Sequence, residues 1–322
     1  MENSQKRKIL DNLLNYVIVF VLLFLIILFT VMSPRFFSSS TFFTILKQVS
    51  ITGIISVGMT MVIMTGGIDL SVGSVAGFVS VFAAWMMVNG MPIPGAIIIC
   101  LLIGTASGAA AGLLVAYVNI PPFICTLGFM TSLRGASYLL SNGAPIYGFS
   151  ASVKKFAQGS VAGIPYQAIL MIVIFAIGIF VMQCTKTGRY IYGVGGNAEA
   201  TRLSGINTYR IIVLVYAVSG FLSSIAGLVL LSRTNSGQPS AGSGYEMDAI
   251  TAVVLGGVSM SGGSGNMNLV IVGVFIMGIL STGMVMNNIN DYMQQVIKGI
   301  VLVAAVAFDQ ISIKIKAKRV VI

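Results

Sequence analysis

Between Leu70 and Leu133 the chain runs for 64 residues without a charged side chain. As one helix that stretch would be about 96 Å long, roughly three times the ~30 Å hydrocarbon core of a bilayer. It must fold back on itself more than once. The breaks are expected at Asn89-Gly-Met-Pro-Ile-Pro-Gly95 and Asn119-Ile-Pro-Pro122, which combine helix breakers with turn formers. Further charge-free runs cover Asn12–Pro34, Gln48–Ile68, Gly135–Val153, Phe156–Thr185, Ile211–Ser232 and Ala249–Asn290. Only 8% of residues are charged, against about 25% in soluble domains. The chain reads as an all-α polytopic membrane protein.

The expected spans are 13–32, 45–65, 70–88, 93–117, 122–141, 165–184, 210–232, 248–261, 267–286 and 291–309, ten in all. The eighth is short and expected to be broken or tilted. The first is too long for a signal-peptide core and lacks a small-residue cleavage site after it, so it is read as a retained helix. The domain plan is a cytosolic tail at 1–12, one transmembrane domain at 13–309 and a basic cytosolic tail at 310–322. An even span count puts both termini on one side. The cations agree: Lys6, Arg7, Lys8, Lys186, Arg189, Arg202, Arg210, Lys314, Lys316, Lys318 and Arg319 then fall on the cytosolic side, 11 of 18. Arg35, Lys47, Lys154, Lys155 and Arg233 fall outside, and Arg134 and Lys298 lie within spans. The excess follows the positive-inside rule, so the net charge of +10 is read as topology rather than as nucleic-acid binding.

The chain has no histidine, which removes histidine-based triads, metal ligands and proton relays. Cys100, Cys125 and Cys184 lack CxxC spacing and read as small buried hydrophobes. Gly193-Val-Gly-Gly-Asn-Ala198 matches GxGxxA but sits in no βαβ unit, and no GxxxxGK[ST] phosphate loop occurs. An ATP-driven process would need its ATPase on another chain. Gly53, Gly58, Gly104, Gly108 and Gly112 fall inside spans, the last three at four-residue spacing, which lets helix backbones approach closely. Gly66-Gly-Ile-Asp-Leu-Ser-Val-Gly-Ser74 aligns with Gly256-Gly-Val-Ser-Met-Ser-Gly-Gly-Ser264, either as a transporter repeat or by coincidence in a glycine-rich chain.

One charged island, Lys186 to Arg210, interrupts the apolar runs. Within it Asn197-Ala-Glu-Ala-Thr-Arg-Leu203 holds good helix formers between two glycine-rich hinges. A short helix held outside the membrane between two spans suits docking of a cytosolic partner. Elsewhere, Asp69 is an acid between spans; it either caps a helix beginning at Leu70, with Ser71 beside it, or belongs to a transport pathway. Arg134 is either an interior partner, for Asp69 or a carbonyl, or a planar contact for a polar solute. Arg233–Asp248 reads as a polar outer loop whose Gln238, Tyr245, Glu246 and Asp248 are either solvated or offered to a passing polyol or a docked protein.

Three of these stretches carry a resemblance: Gly66 to Gly73, the island from Gly188 to Asn207, and Gly237 to Gly257. Together they are similar to the membrane permease of bacterial ABC importers for monosaccharides, nearest to the ribose type, over nearly the whole chain; the island alone is loosely similar to branched-chain amino-acid permeases. The resemblance implies a multi-pass protein of the bacterial inner membrane, working as a homodimer or related heterodimer. A cytosolic ATPase would bind ATP and magnesium, and a periplasmic binding protein would deliver the sugar. No cofactor belongs to this chain and no bond chemistry is its own. Glu199, Ala200, Thr201, Arg202, Leu203, Ser204, Gly205 and Ile206 would form the coupling helix that meets the ATPase. Competing readings are a stand-alone carrier or channel, for which Asp69, Asp291 and Asp309 are the candidate acids, and an ABC permease for another solute such as a branched-chain amino acid.

Overall fold

The computed structural model describes residues 18–320; the 1–12 tail and the start of the first span lie outside them. The helices are α1 (Ile18–Met32), α2 (Ser39–Met64), α3 (Val72–Val88), α4 (Ile93–Tyr117), α5 (Pro122–Ser141), α6 (Ala151–Gln158), α7 (Tyr166–Cys184), α8 (Lys186–Gly196), α9 (Ala198–Leu203), α10 (Thr208–Thr234), α11 (Tyr245–Leu255), α12 (Met267–Met286) and α13 (Asp291–Val320). A two-residue hairpin, Ser160–Val161 with Ile164–Pro165, precedes α7. The protein is an all-α polytopic membrane protein. Among the described residues, seven helices are long and apolar enough to cross a bilayer: α2, α4, α5, α7, α10, α12 and α13. The expected eighth span is α11, whose 11 residues rise only about 16 Å, half the core thickness. α13 runs as one helix from Asp291 to Val320, its apolar stretch covering Asp291–Ile311.

Breakers set the boundaries. α4 opens behind Pro92 and α5 behind Pro121, where the missing N–H is no loss. α5 closes on Asn142 in the left-handed conformation. Inside the helices, hydroxyls bond back to carbonyls one turn earlier, as Ser50 does to Leu46, Thr60 to Ser56 and Ser223 to Ser219. Serine-rich helices thereby leave little polar surface for lipid.

α2 is the axis of the bundle, 89% buried along its most apolar window, whereas α5 and α13 flank it at 17% and 6%. Against α2 lies α10, and across α10 lies α4. The glycine spacing in α4 has the expected use: a Cβ at Gly112 would stand 2.8 Å from the Val213 Cα, and at Gly104 2.8 Å from the Gly220 carbonyl oxygen. Gly58 on α2 meets the Ser219 Cα in the same way. Cys100 and Cys125 are buried as expected, but Cys184, the last residue of α7, is exposed.

The two similar glycine-rich stretches meet at the island end of the bundle, where the Gly263 N–H donates to the Met64 carbonyl at 2.9 Å. Each follows a helix that closes in the same way. Gly66 and Gly67 donate to Ile63 and Val62, and Gly257 and Val258 donate to Val254 and Val253, with Gly66 and Gly257 at positive φ. These matched caps pair Gly66 with Gly257, one position off the sequence alignment, so the aligned letters do not occupy equivalent backbone positions.

Candidate functional site

Two helices begin inside the bundle. Between α2 and α3 the chain runs irregularly from Thr65 to Ser71. Backbone of this kind is tolerated at membrane depth only where protein satisfies it. Here the Ile68 carbonyl accepts from the Tyr216 hydroxyl at 3.3 Å and from Thr126 Oγ1 at 3.2 Å. The second interruption precedes α11. Residues 237–242 lie along α3: a Cβ at Gly237 would stand 3.0 Å from the Val81 Cα, and one at Gly242 3.1 Å from the Gly77 nitrogen. The strip runs antiparallel to α3 and brings the start of α11 beside the start of α3. Two helix N-termini thus converge, each with an acid in its first turn or just before it.

Asp69 is buried in the first break. Its Oδ1 accepts from the Ser71 N–H at 3.0 Å and the Ser71 hydroxyl at 2.6 Å, and its Oδ2 from Ser219 Oγ of α10 at 2.8 Å. It secures the turn into α3, which begins at Val72 rather than Leu70. Arg134 does not reach Asp69. Its Nη2 lies 3.9 Å from Glu246 Oε1, with the two side chains 33% and 8% exposed. Glu246 and Asp248 are not in a solvated outer loop: both are in the first turn of α11. Asp248 Oδ2 accepts from Lys298 Nζ of α13 at 2.8 Å, and Asp309, one of the acids set aside for a stand-alone carrier, accepts from the Met260 N–H at 3.2 Å. Gln238 stays in the strip, its amide donating to Ser236 Oγ at 3.0 Å, and Tyr245 starts α11. The structure therefore gathers Asp69, Ser71, Arg134, Tyr245, Glu246 and Asp248 around the two converging N-termini and leaves Gln238 higher in the strip. Reading the sequence missed Ser219 and Lys298. Lys298 had a signal, since a cation inside a span calls for an acid partner; Ser219 had none among so many serines.

At the island, α9 covers the expected helix. Asn197 caps it, its Oδ1 accepting from the Ala200 N–H at 2.9 Å, and Gly205 at φ +83° turns the chain toward α10. The first glycine-rich hinge is instead the last turn of α8. Gly195 presses on the backbone of Met64 and Gly263, leaving no room for a side chain, and a Cβ at Gly263 would stand 2.6 Å from the Gly196 Cα. Tyr192 adds a bond from its hydroxyl to the Gly265 carbonyl at 3.0 Å. α8 thus rests on both glycine turns, while α9 faces outward. Glu199 and Arg202 pair at 2.7 Å on its surface, Ala200, Ser204 and Gly205 are exposed, Ile206 is half-buried, and Leu203 is 79% exposed. Thr201 is buried and bonds back to the Asn197 carbonyl at 2.8 Å.

Residues 41–306 match the family described as the branched-chain amino acid transport system / permease component. The chain belongs to this permease family. Among curated proteins it is 44% identical over 292 residues to the ribose import permease protein RbsC of Haemophilus influenzae, covering 89% of this chain and 90% of that one. It is 40% identical over 313 residues to RbsC of Bacillus subtilis, covering 96% and 97%. Against the xylose transport system permease protein XylH of Escherichia coli the identity is 33%, over 92% of each chain. No solved structure matches. With its apolar helices and these relatives, the chain is a multi-pass inner-membrane transport permease.

Proposed function

We propose that this chain is the membrane subunit of an ATP-driven importer for ribose or a closely related pentose. The observation that carries this reading is the island. α9 presents an exposed leucine and an exposed ion pair away from the bundle, and α8 behind it rests on the two glycine turns that lead into α3 and α12. A partner that pushes α9 therefore acts on the break that holds Asp69 and on the turn between α11 and α12. The two relatives above at 44% and 40% identity supply the sugar: they are named as ribose import permeases.

In this reading both termini and the island face the cytosol, and an ATPase of two nucleotide-binding modules, with ATP and magnesium, docks on α9 through Glu199 to Ile206. A second permease copy completes the pathway, and a periplasmic binding protein delivers the sugar. Nucleotide-driven closure moves the islands and shifts the balance between inward- and outward-open packings. The permease supplies the two packings and breaks no bond itself.

The test is to purify the tagged protein from its own membranes and identify what stays bound by mass spectrometry. A cytosolic ATPase that is lost in Glu199→Lys/Arg202→Glu supports the reading. A chain that purifies alone and moves ribose in liposomes without ATP refutes it.

A further inference from the structure

Two acid–cation pairs share the first turn of α11, and they differ. Lys298 and Asp248 are bonded at 2.8 Å. Arg134 and Glu246 stop at 3.9 Å, beyond the 2.7–2.9 Å of a charge-assisted hydrogen bond. Arg134 Nη2 and Glu246 Oε2 are enclosed, and neither has a hydrogen-bond partner. Glu246 is fixed from its own side, its Oε1 accepting from the Gly244 N–H at 3.2 Å. Leaving charged groups buried with bonds unmade is costly, and a slight approach would make the bond. The Arg134 side chain as a whole is 33% exposed, although Nη2 is enclosed. Near it on α5, Thr131 and Ser132 are exposed, and a Cβ at Gly128 or Gly135 would meet nothing within 4 Å. On the strip leading to Glu246, Ser240 and Ser243 are exposed as well. Hydroxyls and bare backbone halfway through a bundle are a poor surface for lipid and a good one for a hydrated solute.

We infer that Arg134 is a sugar-contacting residue of the pathway, donating from its planar fork to the oxygens of a monosaccharide, and that Glu246 is the positioning residue that supplies its buried counter-charge. The inference rests on the sugar-permease reading. Its chemistry is specific: two parallel N–H donors fit neighbouring sugar oxygens, where a lysine would offer a point charge. The pair sums to zero charge, so a neutral solute enters and leaves without moving net charge. The 3.9 Å gap also gives the site a release step. A shift of α11 toward α5 that closes it to a bonded length takes the donor away from the sugar.

The experiment uses the complete transporter in proteoliposomes, with radiolabelled ribose and its 2-, 3- and 5-deoxy analogues delivered by the binding protein. Arg134→Lys is expected to lower ribose import at least tenfold. It is also expected to change the ratio of ribose to at least one deoxy analogue about fivefold, because the analogue lacks the oxygen that the fork contacts. Glu246→Gln is expected to move the same ratio in the same direction. A purely structural pair would lower all four sugars equally, and that result overturns the inference. Where Arg134→Lys does not assemble with the ATPase, Arg134→Met/Glu246→Met decides. An apolar replacement of both members restores a structural pair, so import at the parent rate overturns the inference, and assembly without import supports it. The parent is measured first. Import of leucine in place of ribose would refute the sugar reading itself, before any substitution is made.

Discussion

Removing the Asp69 carboxylate separates its hydrogen bonding from its charge. In Asp69→Ala three bonds vanish, at 3.0, 2.6 and 2.8 Å. The Ser219 hydroxyl can turn back to a carbonyl of its own helix, as Ser223 and Ser224 already do. The Ser71 N–H has no such alternative. One buried donor left unsatisfied costs about 1–3 kcal/mol, and the lost cap at the start of α3 adds ~1 kcal/mol. The expected loss is about 2–4 kcal/mol, or roughly 5–10 °C in midpoint by the scaling for large domains. Asp69→Asn keeps one oxygen for both Ser71 donors and turns its amide to the Ser219 oxygen, so its loss should stay within about 1 kcal/mol. The assay is built into the chain. Cys184 is exposed while Cys100 and Cys125 are buried, so a thiol-reactive fluorophore labels the first at once and the other two only as the bundle opens on heating. An asparagine variant that falls as far as the alanine variant would refute the reasoning, since charge rather than bonding geometry would then hold the break.

Three further outcomes are expected. Gly108→Leu on α4 drives a side chain into the Tyr216 backbone and should cost about 3 kcal/mol or more, seen as loss of folded protein in detergent; Gly128→Leu, which meets nothing within 4 Å, should keep the parent midpoint. Gly205→Val places a branched side chain at φ +83°, a strain of about 1–2 kcal/mol, and should weaken co-purification of the ATPase about tenfold, with Gly205→Asn near the parent. Lys298→Met should destabilise by about 3–5 kcal/mol through the stranded Asp248, while Lys298→Met/Asp248→Met should recover most of the midpoint; equal losses in the two would refute the pairing.

The spans that reading the sequence placed best, 93–117, 122–141 and 267–286, are those bounded by proline or asparagine at their ends. There the stop signal is local and independent of neighbours. α9 was legible through its run of helix formers, and Asn197 supplies its cap. The errors share a different cause. Glu246 and Asp248 looked like loop residues because nothing nearby in the chain announces their cations, which arrive from α5 and α13. The glycines at 193, 195 and 196 looked like a hinge because glycine serves both bending and close approach; at Gly195 the proximity of Met64 and Gly263 shows that close approach applies. Of the candidate site, the residue types were visible in the sequence and their pairing was not.

The shortness of α11 bears on how the protein is made. A segment enters the bilayer from the translocon according to its own hydropathy, and 11 residues opening with Glu246 and Asp248 offer too little to be admitted alone. α10 and α12 are admissible by themselves. α11 is therefore drawn into place by partners already in the membrane, with Arg134 synthesised well ahead of it and Lys298 well after. Until α13 is complete Asp248 has no cation, so the centre of this permease is assembled last, although it lies in the middle of the bundle.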